Sequence, residues 1–227
     1  MLCRTLPGQS ADGVSAAVIV AHPDDETLWA GGWILAHPGW DWFVLTICRG
    51  SDADRAPRFR HVLDRLGARG DMGDLDDGPE QRPLSRADIQ QTVLSHLPRT
   101  DFDAVFTHAP QGEYTRNRRH EELSAAMIDL WACGRIRTRS FLMFAYEDGQ
   151  GLYLPRAVEG ADLKERLSEE TWGRKYQLVR EVYGFSQDSW EARTAPSEEA
   201  FWCFGAPQEL DRWLKTRGTR HEGFGAV

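Results

Sequence analysis

The stretch "AAVIVAHPDDE" (residues 16–26) joins an apolar run directly to one imidazole and three carboxylates. A run of small and β-branched apolar residues reads as a strand buried on both faces, as in a parallel sheet covered by helices. Charged residues directly after such a strand stand at its carboxyl end, where open α/β sheets bind their ligands. Further runs of this kind are "WFVLTIC" (42–48), "DAVFTH" (103–108) and "SFLMFAYE" (140–147). Between them apolar residues recur at helical spacing. Leu28, Gly31, Gly32, Ile34 and Leu35 do so just after the acids; Phe59, Val62, Leu63 and Leu66 share a face ended by Gly67. Ile89, Val93 and Leu97 form another face, and Leu123, Ala126, Met127, Leu130 and Trp131 make a stripe before Gly134. Strands alternating with helices predict an α/β fold: a Rossmann-like, doubly wound, mostly parallel sheet with helices on both faces. Residues 1–227 are expected to form one domain, with a core over about 14–150. Residues 151–227, with a long helical segment near 163–184 and a Trp-rich tail, are expected to cap it.

Bulk composition narrows the function classes. A chain of 227 residues with 41% hydrophobic content and nine tryptophans can bury a sizeable core without staples. The charge of −8, from 35 acids and 27 bases, argues against a general nucleic-acid or anionic-membrane binder. The start "MLCRTLPGQSADG" lacks the apolar region of a signal peptide, and no run approaches membrane-spanning length. Cys3, Cys48, Cys133 and Cys203 lie far apart, as expected of reduced thiols in a cytoplasmic protein. Self-association is compatible with all of this.

A metal accounts economically for the "HPDDE" cluster. His22 and Asp25 supply a nitrogen and an oxygen ligand suited to a divalent ion such as zinc, with Fe²⁺ an alternative. Pro23 stiffens the loop between them. Asp24, pointing elsewhere, is the candidate base for water acidified by the ion. The plainer reading is that Asp24 and Asp25 cap the next helix, whose positive dipole end favours acids.

Here the sequence resembles a family, the LmbE-like or PIG-L metal-dependent de-N-acetylases. "HPDDETLWAGG" is similar to the family's first block, "LDDGP" to its mid-chain Asp-Gly loop, "GEY…H" to its second metal segment, and "KYQLVREVYGFSQ" to its late Lys-to-Ser-Gln segment. The resemblance implies a Rossmann-like sheet and hydrolysis of N-acetyl groups on N-acetylglucosamine conjugates or related small amides. It implies His22, Asp25 and His120 as metal ligands and Asp24 as general base. His108, Glu113, Tyr114, Arg116 and Asn117 are then expected at the substrate.

The chain departs from the family at "GEYTRNRRH" (112–120). Asn117 stands three residues before His120, where the family has a histidine thought to donate a proton or hold the oxyanion. Asn117 suits a helix N-cap accepting from the backbone of about His120; its rival role is donation to the oxyanion. Arg116, Arg118 and Arg119 read as a solvated face balanced by Glu121 and Glu122, or else as an anion site. His108 reads equally as a substrate contact or a loop residue. His37, His61, His96 and His221 read as surface or structural residues, and "DMGDLDDGPE" (71–80) as a solvated loop rather than a cation site. The tryptophans are expected mostly in the core, with one or two near the pocket able to stack on a sugar. Two other functions remain: a non-catalytic metal-binding relative, and a nucleotide-binding oxidoreductase. The latter is disfavoured because HPDD stands where G-x-G-x-x-G would be needed.

Overall fold

The computed structural model describes residues 13–115 and 117–221, with side chains through Thr216. In chain order its elements are β1 (Ser15–Val20), α1 (Asp25–Ala36), β2 (Asp41–Cys48), α2 (Arg55–Leu66), β3 (Arg69–Leu75), α3 (Arg86–His96), β4 (Asp101–Thr107), α4 (Arg118–Ala132) and β5 (Arg137–Phe144). A two-stranded ribbon, β6 (Tyr146–Glu147) and β7 (Arg156–Ala157), precedes β8 (Leu163–Arg166), α5 (Glu169–Gln177), α6 (Trp190–Thr194), β9 (Glu198–Phe204) and α7 (Pro207–His221). Seven strands form one sheet in the order β3-β2-β1-β4-β5-β9-β8. The first five run parallel, as expected of a doubly wound sheet. The strand order reverses beside β1, so the loops after β1 and β4 open into one crevice at the carboxyl edge.

β1 shows why the apolar run is continuous. Ala16, Val18 and Val20 face the core under α1 and α2, whereas Ala17, Ile19 and Ala21 face the core under α3 and α4. Every second residue thus belongs to a different core, and neither face tolerates a polar group.

The region after residue 150 departs from expectation. The predicted helix near 163–184 begins as strand β8 and becomes helical only at Glu169; a π-helical turn spans Leu178–Val182. The Trp-rich tail contains β9, which pairs antiparallel with β5 and β8. The C-terminal segment therefore extends the sheet besides covering it. β3 is also a strand, where "DMGDL" reads as loop, because "RGDMGDL" offers too few apolar residues to show a strand period.

A buried ion pair ties this region to α1. Lys175 donates to Glu199 at 2.7 Å, and both side chains are fully buried. Glu199 also accepts from the backbone N–H of Gly32 at 2.8 Å and of Trp33 at 2.6 Å. A Cβ at Gly32 would lie 2.4 Å from Leu167, so glycine is what permits this approach. Lys175→Met leaves a buried carboxylate without its counter-charge and is expected to cost about 3–5 kcal/mol in denaturant unfolding. Adding Glu199→Gln should recover much of that loss; no recovery would deny that the unpaired charge is the cause.

Candidate metal centre and its pocket

The turn from β1 into α1 is held in a form that non-glycine residues avoid. Asp24 has φ 126° and ψ −29°, a costly conformation that persists only where surroundings over-determine it. Glu26 is the main restraint. Fully buried, it accepts from Asp24 N–H at 3.0 Å, Thr27 Oγ1 at 2.6 Å and Tyr183 Oη at 2.7 Å. In this turn the Asp24 carboxylate meets Arg55, whose Nη1 lies 3.2 Å away.

Three donor atoms converge beside this turn. His22 Nδ1 lies 3.2 Å from Asp25 Oδ2, His120 Nε2 lies 3.2 Å from the same oxygen, and the two nitrogens are 3.3 Å apart. A tetrahedral ion with ligands at about 2.0–2.1 Å has donor-to-donor edges near 3.3–3.4 Å, so this triangle fits a single divalent ion with a position left open. His120 is oriented from behind, with Nδ1 2.6 Å from Glu113 Oε2. That bond places the proton on Nδ1 and leaves Nε2 as the ligating nitrogen. His108 Nδ1 meets the same Glu113 oxygen at 2.7 Å. The His108–Glu113–His120 group is a hydrogen-bonded chain, since its 2.6–2.7 Å contacts are too short for donors sharing an ion.

Electrostatics follow this layout. Burial would lower the His22 pKa, but hydrogen bonds to Asp25 and Asp77 outweigh it and raise it to about 9. Burial would raise Asp25, yet the charge of a protonated His120 in the metal-free site and the close approach of His108 and His22 hold it well below the usual carboxylate range. Asp24 goes the other way: burial and the adjacent Asp25 push it well up, against the pull of Arg55 and His22. A proton acceptor tuned upward next to a carboxylate tuned downward is the division of labour expected of a base and a ligand.

A cavity of about 210 Å³ opens over the triangle, lined among others by Asp24, Arg49, Arg55, Asp77, Tyr114 and Trp190. Tyr114 thus reaches the cavity. Asn117 lies behind it: its Oδ1 accepts from His120 N–H at 3.3 Å, as a helix cap, and its Nδ2 donates to Tyr114 Oη at 2.5 Å. His108, expected at the substrate, does not line this cavity. It is fully buried, stacked on His120 at 3.7 Å, and Ala21 N–H donates to its Nε2 at 3.0 Å. Carboxylate neighbours raise its pKa to about 9, but a second proton would face that amide, and the bonding fits the neutral Nδ1–H form. Glu113 is equally buried and acts through the two histidines. Arg116 lies outside the described residues.

Other residues depart from their sequence reading. Arg119 is neither solvated nor an anion site. It is fully buried, donating to the carbonyls of Asp76 and Arg82 and pairing with Glu122 at 2.6 Å. Arg118 donates to the Gln81 carbonyl. Together they pin the 76–82 loop. That loop is not merely solvated, because Asp77 approaches His22 Nε2 at 3.2 Å and pairs with Arg49 at 2.7 Å. In the sequence Asp77 stands only as one acid in an acidic run and as part of "LDDGP", the stretch similar to the family's Asp-Gly loop, with no role assigned to it. Arg49, Arg55, Trp190 and Glu191 carried no local signal at all. His37 is structural, buried with Nδ1 2.7 Å from the Trp33 carbonyl; His96 pairs with Asp71 at the surface; His61 is exposed. No helix among the described residues is long and apolar enough to cross a membrane.

No family model matches the chain, and no curated protein matches it in sequence. Solved structures do match. The zinc-inhibited form of teicoplanin deacetylase Orf2 is 16% identical with TM-score 0.60, over 83% of this chain and 97% of that one. GalB, the 4-carboxy-2-hydroxymuconate hydratase of Pseudomonas putida, is 16% identical with TM-score 0.55, over 94% and 91%. The conserved protein TT1542 of Thermus thermophilus is 18% identical with TM-score 0.54, over 83% and 94%. The chain shares its fold with teicoplanin deacetylase Orf2 and with the hydratase GalB, so one fold carries two chemistries.

Proposed function

We propose that the chain is a member of the LmbE-like family, a divalent-metal-dependent hydrolase that removes an N-acetyl or similar N-acyl group from an amino sugar or its conjugate. The observation that carries this reading is the donor triangle with 3.2, 3.2 and 3.3 Å edges, standing beside a strained, up-shifted Asp24. His22, Asp25 and His120 would hold zinc or another divalent ion. When bound, the ion supplies Lewis acidity, polarising the amide carbonyl and acidifying water at the site. Asp24 takes the proton from the attacking water. Protonated, it then stands within the cavity as the nearest acid for the departing amine. Arg55 holds the Asp24 carboxylate in place and limits how far its pKa climbs.

Tyr114 takes up the role left open by the missing histidine. Asn117 Nδ2 can only donate, so Tyr114 Oη accepts there and its own hydrogen is directed elsewhere. That hydrogen is available to the carbonyl oxygen as negative charge develops on it. Asn117 therefore has both roles, cap and aiming device. Asn117→Asp keeps the capping oxygen but, ionised, accepts the Tyr114 hydrogen instead of donating. Folding stability is expected to stay within about 1 kcal/mol, while kcat falls by at least about tenfold, from loss of one oxyanion donor. Unchanged kcat would leave Asn117 a cap alone.

A second reading is hydration of an unsaturated hydroxy acid. Two arginines in the cavity, and the hydratase's overlap with 94% of this chain, favour it. Both arginines are already matched by carboxylates, Arg49 by Asp77 and Arg55 by Asp24, which weighs toward a less acidic substrate. Acetate release from a panel of N-acetyl sugars, set against bleaching of conjugated diene acids, decides between the two. Turnover of dienes with none of the sugars would overturn the hydrolase reading.

A further inference from the structure

The C-terminal segment brings two consecutive residues, Trp190 and Glu191, to the cavity over the donor triangle. They open α6, where Ser189 Oγ accepts from Ala192 N–H at 3.1 Å and fixes the first turn. Tyr114 meets the Trp190 ring at 4.6 Å and 60°, and Trp29 meets it at 6.4 Å and 67°. No described ring lies parallel to Trp190, so a flat partner has no rival there. Among the described residues, Trp190 alone of the chain's nine tryptophans lines this cavity.

Glu191 differs from the other acids around it. Asp24 pairs with Arg55, Asp25 with the histidines, and Asp77 with Arg49 and His22. The Glu191 side chain has no hydrogen-bond or ion-pair partner among the described residues, yet it is only half-exposed and borders the cavity. A pyranose ring presents a C–H face, which an aromatic ring covers, and a rim of hydroxyl donors, which an ionised carboxylate accepts. A carbocycle would use the first feature and not the second. An acidic ligand would be repelled by Glu191.

We infer that Trp190 and Glu191 form a neutral-sugar subsite, with Trp190 stacking on the ring and Glu191 accepting from its hydroxyls, so that the C-terminal segment sets substrate choice. The inference rests on the amide-hydrolase reading and deepens it. The test uses the metal-loaded protein and two probes, N-acetylglucosamine and the acyclic amide N-acetylethanolamine. Binding of each is measured by calorimetry and hydrolysis by acetate release, in wild type, Trp190→Ala, Trp190→Phe and Glu191→Gln. Trp190→Ala should lower kcat/KM for the sugar at least tenfold more than for the acyclic amide, chiefly through KM, with Trp190→Phe restoring much of the difference. Glu191→Gln should weaken sugar binding about fivefold or more. Equal losses on both probes, or none on the sugar, would overturn the subsite. Wild-type turnover of the acyclic amide without binding of the sugar would overturn it too, leaving amide hydrolysis standing. Trp190-dependent sugar binding without hydrolysis of either probe would uphold the subsite and overturn the hydrolase reading.

Discussion

His120→Ala is expected to abolish stoichiometric metal binding, with zinc falling from near one ion per chain to a small fraction, and His22→Ala should do the same. Each change removes one corner of a triangle whose edges are 3.2–3.3 Å. The loss of several kcal/mol of Lewis-acid stabilisation corresponds to on the order of 10³-fold or more in kcat/KM. Glu113→Gln leaves all three donors in place but loosens the orientation of His120, and should weaken metal affinity by about 10–100-fold. Protons compete with the ion for the same imidazoles. The His22 pKa is raised to about 9, so the metal-free site holds that proton at neutral pH and must release it on binding. Affinity should therefore rise with pH until it passes about 9. Elemental analysis after gel filtration and titration with a chromophoric chelator read these outcomes. Full occupancy in both histidine variants would refute the ligand assignment.

Asp24→Asn should separate chemistry from metal binding. The amide keeps the shape of the side chain and cannot take a proton, so kcat is expected to fall by about 10²–10⁴-fold with metal content intact. Asp24 is not a corner of the donor triangle; its carboxylate faces Arg55 at 3.2 Å. If metal is lost along with activity, Asp24 is a ligand and the roles of the two aspartates must be redrawn.

Sequence made some of this visible and not the rest, and the division follows the range of the interactions. The β1 run and the Asn117 cap depend on neighbours within a few residues, and each can be read locally; the HPDDE motif is equally local, but the shape of its turn leans on the distant Tyr183. His120 came from resemblance to a family motif, since one histidine opening a helix says little by itself. β9 and β8 escaped because the antiparallel pairing of β9 with β5, and of β8 with β9, is a long-range event, and "EEAFWCF" among tryptophans reads as a cap. Asp77, Arg55 and Trp190 reach the cavity from separate loops and helices, and no spacing along the chain encodes that approach. Arg119 was misread for a related reason: an arginine run looks solvated until the carbonyls that bury it are seen.

The contacts of Glu26 with Tyr183 and of Glu199 with Gly32, Trp33 and Lys175 bear on how the molecule comes apart. The first, and the second through the Gly32 and Trp33 amides, run between α1, which Asp24 caps and Asp25 opens, and segments 157 to 167 residues further along. A chain cannot hold the Asp24 turn while these distant segments are open, so the site and the C-terminal region should melt as one cooperative unit. Amide hydrogen exchange would then report the same opening free energy for α1 and β9. A saturating ion would raise both together, by RT ln(1 + [M]/Kd), about 2.7 kcal/mol at a hundredfold excess over Kd.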